Sequence, residues 1–121
     1  MPVTKEQLFE AFGEILYALA AVDGKIQQEE KELIMQAIKH HRYEYDILLS
    51  FKQEVTKART ITDAFTKAMK TFREYGPFDG YSDFKIILEN LAQSCQGVSP
   101  EEQQLIDQFH KELLSNFRMH D

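Results

Sequence analysis

Residues 15–39, ILYALAAVDGKIQQEEKELIMQAIK, decide the fold, because residues 87–111 repeat their pattern as ILENLAQSCQGVSPEEQQLIDQFHK. The two stretches align without a gap and share ten identical residues of 25. In each stretch, aliphatic residues recur every three or four positions, a short turn follows, and a second such run opens with two glutamates. That spacing is typical of two amphipathic helices joined as a hairpin. One interpretation of the identities is that any two amphipathic helices share leucines. Because the turn matches as well as the apolar positions, we interpret the stretches as a repeat, which predicts two helical hairpins that pack together, since neither can bury its apolar face alone.

Signals for helix starts lie outside the repeat as well. Thr4 followed by Gln7 is a capping-box pair, in which the threonine oxygen accepts a first-turn N–H and the glutamine reaches back. The tetrapeptide Ser99-Pro100-Glu101-Glu102 is the strongest start signal, because proline is favoured at the first helical position. These two signals predict where the first and the last helix begin.

Two further helices are predicted between the hairpins. One covers 46–55, and the next begins after a Thr62 cap and ends at Gly76-Pro77, because proline cannot continue the hydrogen-bond ladder. A fifth helix is predicted to open at Ser82. No segment alternates apolar and polar residues as a half-buried strand does. The predicted inward-facing residues of the six helices are Leu8, Phe12, Ile15, Leu16, Leu19, Leu33, Ile34, Ala37, Ile38, Ile47, Leu48, Phe51, Phe65, Ala68, Met69, Phe72, Phe84, Ile87, Leu88, Leu91, Cys95, Leu105, Ile106, Phe109, Leu113 and Phe117.

The sequence thus predicts an all-α protein, a compact bundle of about six helices. We expect a single domain over residues 1–121, a length that suits one hydrophobic core. Within it, the repeat predicts an internal pseudo-two-fold arrangement of helical hairpins, with units at about 8–40 and 82–117.

Composition limits the classes of partner and of location. The chain has 14 Lys+Arg against 20 Asp+Glu and a formal charge of −6, which disfavours a nucleic acid as partner. No apolar run approaches the ~20 residues of a transmembrane segment. The one cysteine excludes an internal disulfide and a multi-cysteine zinc site. We expect a cytoplasmic protein. No catalytic motif is present, so a non-catalytic protein is expected as well.

Carboxylates gather at the two repeated turns. Asp23 lies in the first turn, and Glu29 and Glu30 open the helix after it, as Glu101 and Glu102 open the last helix. Acidic residues stabilise a helix N-terminus electrostatically, which is one interpretation of these positions. The other is a shallow divalent-cation site, where carboxylates from both repeats converge on Mg²⁺, Ca²⁺ or Mn²⁺.

Two clusters of aromatic residues are candidates for a protein-binding surface. Tyr43 and Tyr45 lie in one, and Phe78 and Tyr81 lie in the other, a loop rich in glycine and proline. Tyrosine and phenylalanine beside acidic residues are typical of protein-recognition surfaces. The alternative is that these rings close the ends of the bundle.

The neighbouring pair His40-His41 could suggest a metal site. Adjacent side chains on a regular helix point about 100° apart, so the two histidines cannot bind one metal ion from it. A positively charged end of the helix is the simpler interpretation.

Residues 19–34, LAAVDGKIQQEEKELI, resemble the A-x-x-D-G-x-(I/V)-x-x-x-E hallmark of the TerB-like tellurite-resistance family, which is related to a domain of DjlA-type co-chaperones. Asp23 and Glu29 or Glu30 match the acidic positions. In the second copy Glu101 and Glu102 match, and Cys95-Gln96 replaces the Asp-Gly. The resemblance implies a compact all-α bundle with internal pseudo-symmetry and a role in bacterial stress response. It further implies protein partners near the inner membrane and a bound metal ion.

Two functional hypotheses follow. The first is a non-catalytic TerB-like binding domain that acts through an acidic face and a divalent cation. The second is a metal-independent protein-interaction module that uses Tyr43, Tyr45, Phe78 and Tyr81. A homodimer is compatible with both hypotheses.

Overall fold

The computed structural model describes residues 3–22, 28–57, 59–76, 78, 80–94 and 100–117. Within these ranges the chain forms six helices and no strand, which confirms the all-α prediction. The helices are α1 (Lys5–Ala21), α2 (Gln28–Ala37), α3 (Glu44–Lys57), α4 (Ile61–Tyr75), α5 (Tyr81–Ser94) and α6 (Pro100–Phe117).

Two of the predicted helix starts are confirmed. At the start of α1, the Gln7 N–H donates to Thr4 Oγ1 over 3.1 Å, and the Thr4 N–H donates to Gln7 Oε1 over 2.9 Å. This is the reciprocal capping box that the sequence predicts. The last helix begins with Pro100 at its first position, where its missing N–H would have no intrahelical partner.

The predicted start of the fourth helix was wrong by two residues. Thr60 is the cap of α4, and its Oγ1 accepts from the Asp63 N–H over 3.1 Å, so Thr62 lies in the first turn. Both threonines have the right chemistry for a cap, and only the extended backbone at Thr60 distinguishes them. Likewise α5 opens at Tyr81 rather than Ser82, and α3 is longer at both ends than 46–55. Gly76 ends α4 as predicted, with a φ of 97° that favours glycine.

The first helix lies at the centre of the bundle. It contacts each of the other five helices and packs most extensively against α3 and α4. The five residues of its predicted stripe are buried, but so are positions on its other sides, among them Ala11, Gly13, Tyr17 and Ala18. The sequence predicted one apolar face, whereas a helix enclosed by neighbours buries its whole circumference.

Gly13 sets how closely α3 approaches α1. A Cβ at this position would lie 2.5 Å from the Ile47 carbonyl oxygen and 3.0 Å from Ser50 Cβ. No side chain fits there unless the α3 backbone moves away. At the same crossing, the Ser50 hydroxyl donates to the Glu10 carbonyl over 2.6 Å. The glycine and the serine together allow two helix backbones to lie nearly in contact.

Most of the other predicted inward-facing residues are also buried. All four predicted residues of α4 are buried, as are Leu105, Ile106 and Phe109 of α6. Ala37 is exposed, so its prediction was wrong; the buried stripe of this segment is narrow and consists of Ile34 and Ile38. Cys95 and the side chains of Leu113 and Phe117 lie outside what the structure describes. The core is therefore formed by α1 together with the apolar stripes of the helices around it.

Candidate functional site

An aromatic cluster forms on the side of α1 that two connecting segments cover. Its hub is Phe9, whose ring stacks on Tyr43 with centroids 4.3 Å apart and planes 7° apart. Phe84 and Phe78 meet the Phe9 ring edge-on, at 5.4 and 6.0 Å. Offset-stacked and edge-to-face pairs are the favoured arrangements of aromatic rings, so each contact adds to the packing of the cluster.

The cluster continues inward to the core. Phe84 stacks on Phe12 at 4.0 Å, and Phe72 contacts Tyr81, Phe84 and Phe109. These inner rings are almost fully buried. The outer rings thus rest on aromatic rings of the core.

The segment between α2 and α3 forms one wall. His40 adopts a left-handed backbone with a φ of 69°, and its N–H donates to Glu44 Oε1 over 3.1 Å. The Tyr43 N–H donates to His41 Nδ1 over 3.0 Å. This bond places the His41 ring 5.1 Å from the Phe9 ring. The two histidines therefore belong to a tight turn.

The segment between α4 and α5 forms the opposite wall. The Tyr81 hydroxyl donates to the carbonyl of Gly76 over 2.8 Å and lies 3.3 Å from that of Phe72, near the C-terminal end of α4. Burial raises the pKa of this phenol above its usual range, so Tyr81 stays protonated as a donor. A Cβ at Gly80 would overlap the Phe78 ring, and glycine lets that ring fold back over the backbone.

Between these walls lies an open groove of about 360 Å³, which we call the aromatic groove. It is lined by Phe9, His41, Phe78, Gly80, Asp83, Phe84, Ile86 and Ile87. Ile86, one of these lining residues, is 53% exposed. The floor of the groove is apolar, and His41 and Asp83 supply polar groups along its lining. Such a surface can hold an apolar side chain and orient it through one or two polar contacts.

The structure brings three of the four predicted partner-binding residues into this cluster. Tyr43 and Phe78 are half-buried in it, and Tyr81 is buried beneath it. Tyr45 is 74% exposed and stands apart, with no ring contact among the residues that the structure describes.

Sequence reasoning missed Phe9, Asp83 and Ile86. Phe9 lies beside the predicted α1 stripe, and a second periodic row through Phe9, Phe12 and Leu16 was the signal that could have identified it.

The acidic positions are only partly covered by the structure. Asp23 lies outside the described residues, and Glu30 belongs to α2 with a side chain that is not described. Glu29 and Glu101 are exposed in the first turns of their helices, while Glu102 is buried and has a partner. Among the described residues, no three histidine, cysteine or carboxylate side chains gather closely enough to hold a metal ion.

Ion pairs lie on the other side of α1, where α3 and α4 pack. Lys67 Nζ lies 2.6 Å from Glu14 Oε2, and Arg59 Nε lies 2.9 Å from Glu54 Oε1 without the alignment of a hydrogen bond. Burial raises the pKa of the Glu14 carboxyl above its usual value, and Lys67 only partly offsets this effect. The Tyr17 hydroxyl donates to the Arg59 carbonyl over 2.5 Å. These charged groups all lie in ion pairs, so we interpret them as contacts that hold the helices together.

Comparison with known proteins found no match: no protein-family model fits the sequence, and no curated protein or solved structure is significantly similar. No helix in the described part of the chain is both long enough and apolar enough to pass through a lipid bilayer. We therefore take the aromatic groove as a candidate site on the geometry of the described residues alone.

Proposed function

We propose that the protein is a non-catalytic protein-binding module whose aromatic groove receives an apolar side chain of a partner protein. The observation that carries this proposal is the exposed Ile86 beside a groove with an aromatic floor. The dominant residues of a protein interface bind against apolar, aromatic-lined surfaces, and this groove offers an aromatic floor with an aliphatic side chain at its edge.

The polar groups define the partner further. Asp83 is exposed at the groove, and the chain carries a formal charge of −6. A partner segment with an aromatic or aliphatic anchor next to an arginine or lysine matches both features, since the basic group lies where Asp83 can pair with it.

A peptide selection tests this proposal. Peptides displayed on phage are selected on the wild-type protein and then measured against Ile86→Glu, with Leu49→Glu as the matched control on α3. Leu49 is also partly exposed, but it does not line the aromatic groove. We expect apolar-basic motifs whose binding weakens about tenfold or more with Ile86→Glu and stays unchanged with Leu49→Glu. Equal binding to both variants would contradict the proposal.

A second candidate function is the TerB-like acidic face, and one observation favours it. The aligned positions 28–37 and 100–109 are helical in both halves, in α2 and in α6, at the shift of 72 positions that aligns the two halves of the sequence. We propose on this basis that the two hairpins form a pseudo-two-fold repeat. Carboxylates of Asp23, Glu29, Glu30, Glu101 and Glu102 would then bind Mg²⁺, Ca²⁺ or Mn²⁺ and shape a surface for a protein partner.

In this second function the protein acts in bacterial stress response, in the cytoplasm or at the inner membrane. Thermal unfolding of chelator-treated protein with each cation tests it. A cation present at about a hundred times its dissociation constant stabilises the native state by roughly 2.7 kcal/mol. That increase should disappear in the double variant Glu29→Gln and Glu30→Gln. An unchanged melting temperature with all three cations would refute the acidic face and leave the aromatic groove as the site.

A further inference from the structure

A second groove lies between α2 and α3, away from the aromatic groove. Helix α2 packs on α1 and α5, and α3 packs on α1, so the two helices leave a space of about 320 Å³ between them. We call it the lysine groove, and its lining residues are Gln28, Lys31, Met35, Leu48, Phe51, Lys52, Val55 and Thr56. None of these residues lines the aromatic groove.

The floor of the lysine groove is apolar. Phe51 is buried at its base, Leu48 and Val55 are half-buried beside it, and Met35 is 47% exposed. A methionine is unbranched and polarisable, so it adapts its shape to whatever packs on it. No described residue of the chain covers this floor, so its apolar surface is available for contact with a ligand.

The rim of the lysine groove is positively charged. Lys31 rises from α2 and Lys52 from α3, and neither forms an ion pair with another described residue. The lining residues that the structure describes include no carboxylate. On a chain with a formal charge of −6, the lining of this groove carries two lysines around an apolar centre. Its charge complement is an acidic ligand with an apolar stripe.

The length of the groove indicates what shape of ligand fits. From Gln28 to Met35 the α2 wall spans about two helical turns, given a rise of ~1.5 Å per residue. We propose that the lysine groove binds an acidic amphipathic helix of a partner protein. Apolar residues at i, i+3 or i+4 and i+7 pack on Met35, Leu48 and Val55, and flanking glutamates or aspartates pair with Lys31 and Lys52. This surface is separate from the aromatic groove and goes beyond the function proposed above.

The other occupant with this charge is an anionic lipid surface. Recognition of such a surface typically uses clusters of about 4–8 basic residues, which exceeds the two lysines of this rim. A concave groove also suits a helix better than a flat membrane. We therefore assign the groove to a protein segment.

The probe is a synthetic, fluorescein-labelled peptide of four turns, with leucines at helical i, i+3, i+4 and i+7 spacing and glutamates at the flanking positions. Its binding is measured by fluorescence anisotropy at low and at moderate salt concentration. We expect saturable binding that weakens about tenfold or more in the double variant Lys31→Glu and Lys52→Glu, and also in Met35→Glu. The matched control is Lys70→Glu on the exposed face of α4, which should bind as the wild type does.

A charge swap separates a direct contact from an effect on folding. The same peptide with lysines in place of its glutamates should bind the Lys31→Glu, Lys52→Glu variant better than it binds the wild type. A peptide with the same composition but scrambled leucines should bind at least tenfold more weakly than the periodic one. Absence of saturable binding, equal binding of the scrambled peptide, or groove-dependent binding to anionic phosphatidylglycerol vesicles alone would each overturn the proposal.

Discussion

The two sides of α1 are built differently, although both are buried. On the helix side, α3 and α4 pack along α1 through Gly13 and through ion pairs that include Glu14 with Lys67. On the loop side, aromatic rings around Phe9 are covered by two connecting segments, and a groove stays open. Closely packed helices cannot accommodate a ligand between them without moving apart. A surface covered by loops and large rings can instead replace some of its own contacts with contacts to a ligand. Stability should therefore depend most on the helix side, and binding on the loop side.

The largest effect is expected from Gly13→Val on the helix side. The new side chain meets the Ile47 carbonyl and the Ser50 side chain, so α3 must move away from α1. Overpacking against a backbone should lower the free energy of unfolding by roughly 3 kcal/mol. Urea denaturation measures this change in the free energy of unfolding. Lys70→Val on the exposed face of α4 is the control, because it measures the effect of a valine in a helix without overpacking. A loss at Gly13 no greater than at Lys70 would mean that the helices do not meet there.

An intermediate effect is expected at the Glu14–Lys67 pair. Lys67→Met leaves the buried carboxylate without its cation and should destabilise the native state at pH 7 by roughly 2 kcal/mol, a figure reduced because Lys67 is half exposed. Glu14→Gln should cost much less, since the remaining lysine can turn to solvent. Urea denaturation of both variants measures this asymmetry.

The pH dependence of the same pair has a defined sign. Because burial raises the native pKa of Glu14, the native state binds more protons than the unfolded state above pH 4.5. This group therefore favours the native state at low pH, and the benefit is lost as the pH rises through the native pKa. The loss in the free energy of unfolding caused by Lys67→Met should become smaller as the pH falls towards 4.5. Glu14→Gln should make the free energy of unfolding depend less on pH. A cost of Lys67→Met that is equal at all pH values would show that Glu14 is not its cause.

The smallest effect is expected from Tyr81→Phe on the loop side. The variant keeps the ring but removes the hydroxyl that donates to Gly76 near the end of α4. A lost hydrogen bond of this kind costs about 1 kcal/mol. Tyr17→Phe is the matched control on the helix side, because its hydroxyl also donates to a backbone carbonyl. If Tyr81→Phe cost as much as Gly13→Val in urea denaturation, the two sides of α1 would not differ as we describe.

Much of the fold could be predicted from the sequence, because helix periodicity and caps are local signals. The stripe of α4 and the capping box of Thr4 were correct for that reason. The enclosure of α1 was missed, since small residues such as Gly13 and Ala18 reveal a close approach only when the neighbouring helix is known. The burial of Glu14 could not be predicted either, because its partner Lys67 lies on α4 and is distant in the sequence.

The candidate site was harder to predict than the fold. Phe9, His41, Phe78 and Phe84 belong to four separate parts of the chain, and only the packing of the bundle brings them together. The two aromatic clusters were identified from the local density of tyrosine and phenylalanine, yet Tyr81 is buried and Tyr45 stands apart from the rings around Phe9. A sequence indicates which side chains are suited to recognition, but not which of them the core uses.

The central position of α1 also has a consequence during synthesis. This helix precedes in the chain all the helices that cover it, and α4 is complete only at Tyr75. Until then its apolar circumference has no cover on that side, and such surfaces are prone to aggregate or to bind chaperones. The arrangement that encloses α1 in the native protein thus leaves this helix uncovered on the growing polypeptide until the helices that pack on it have been made.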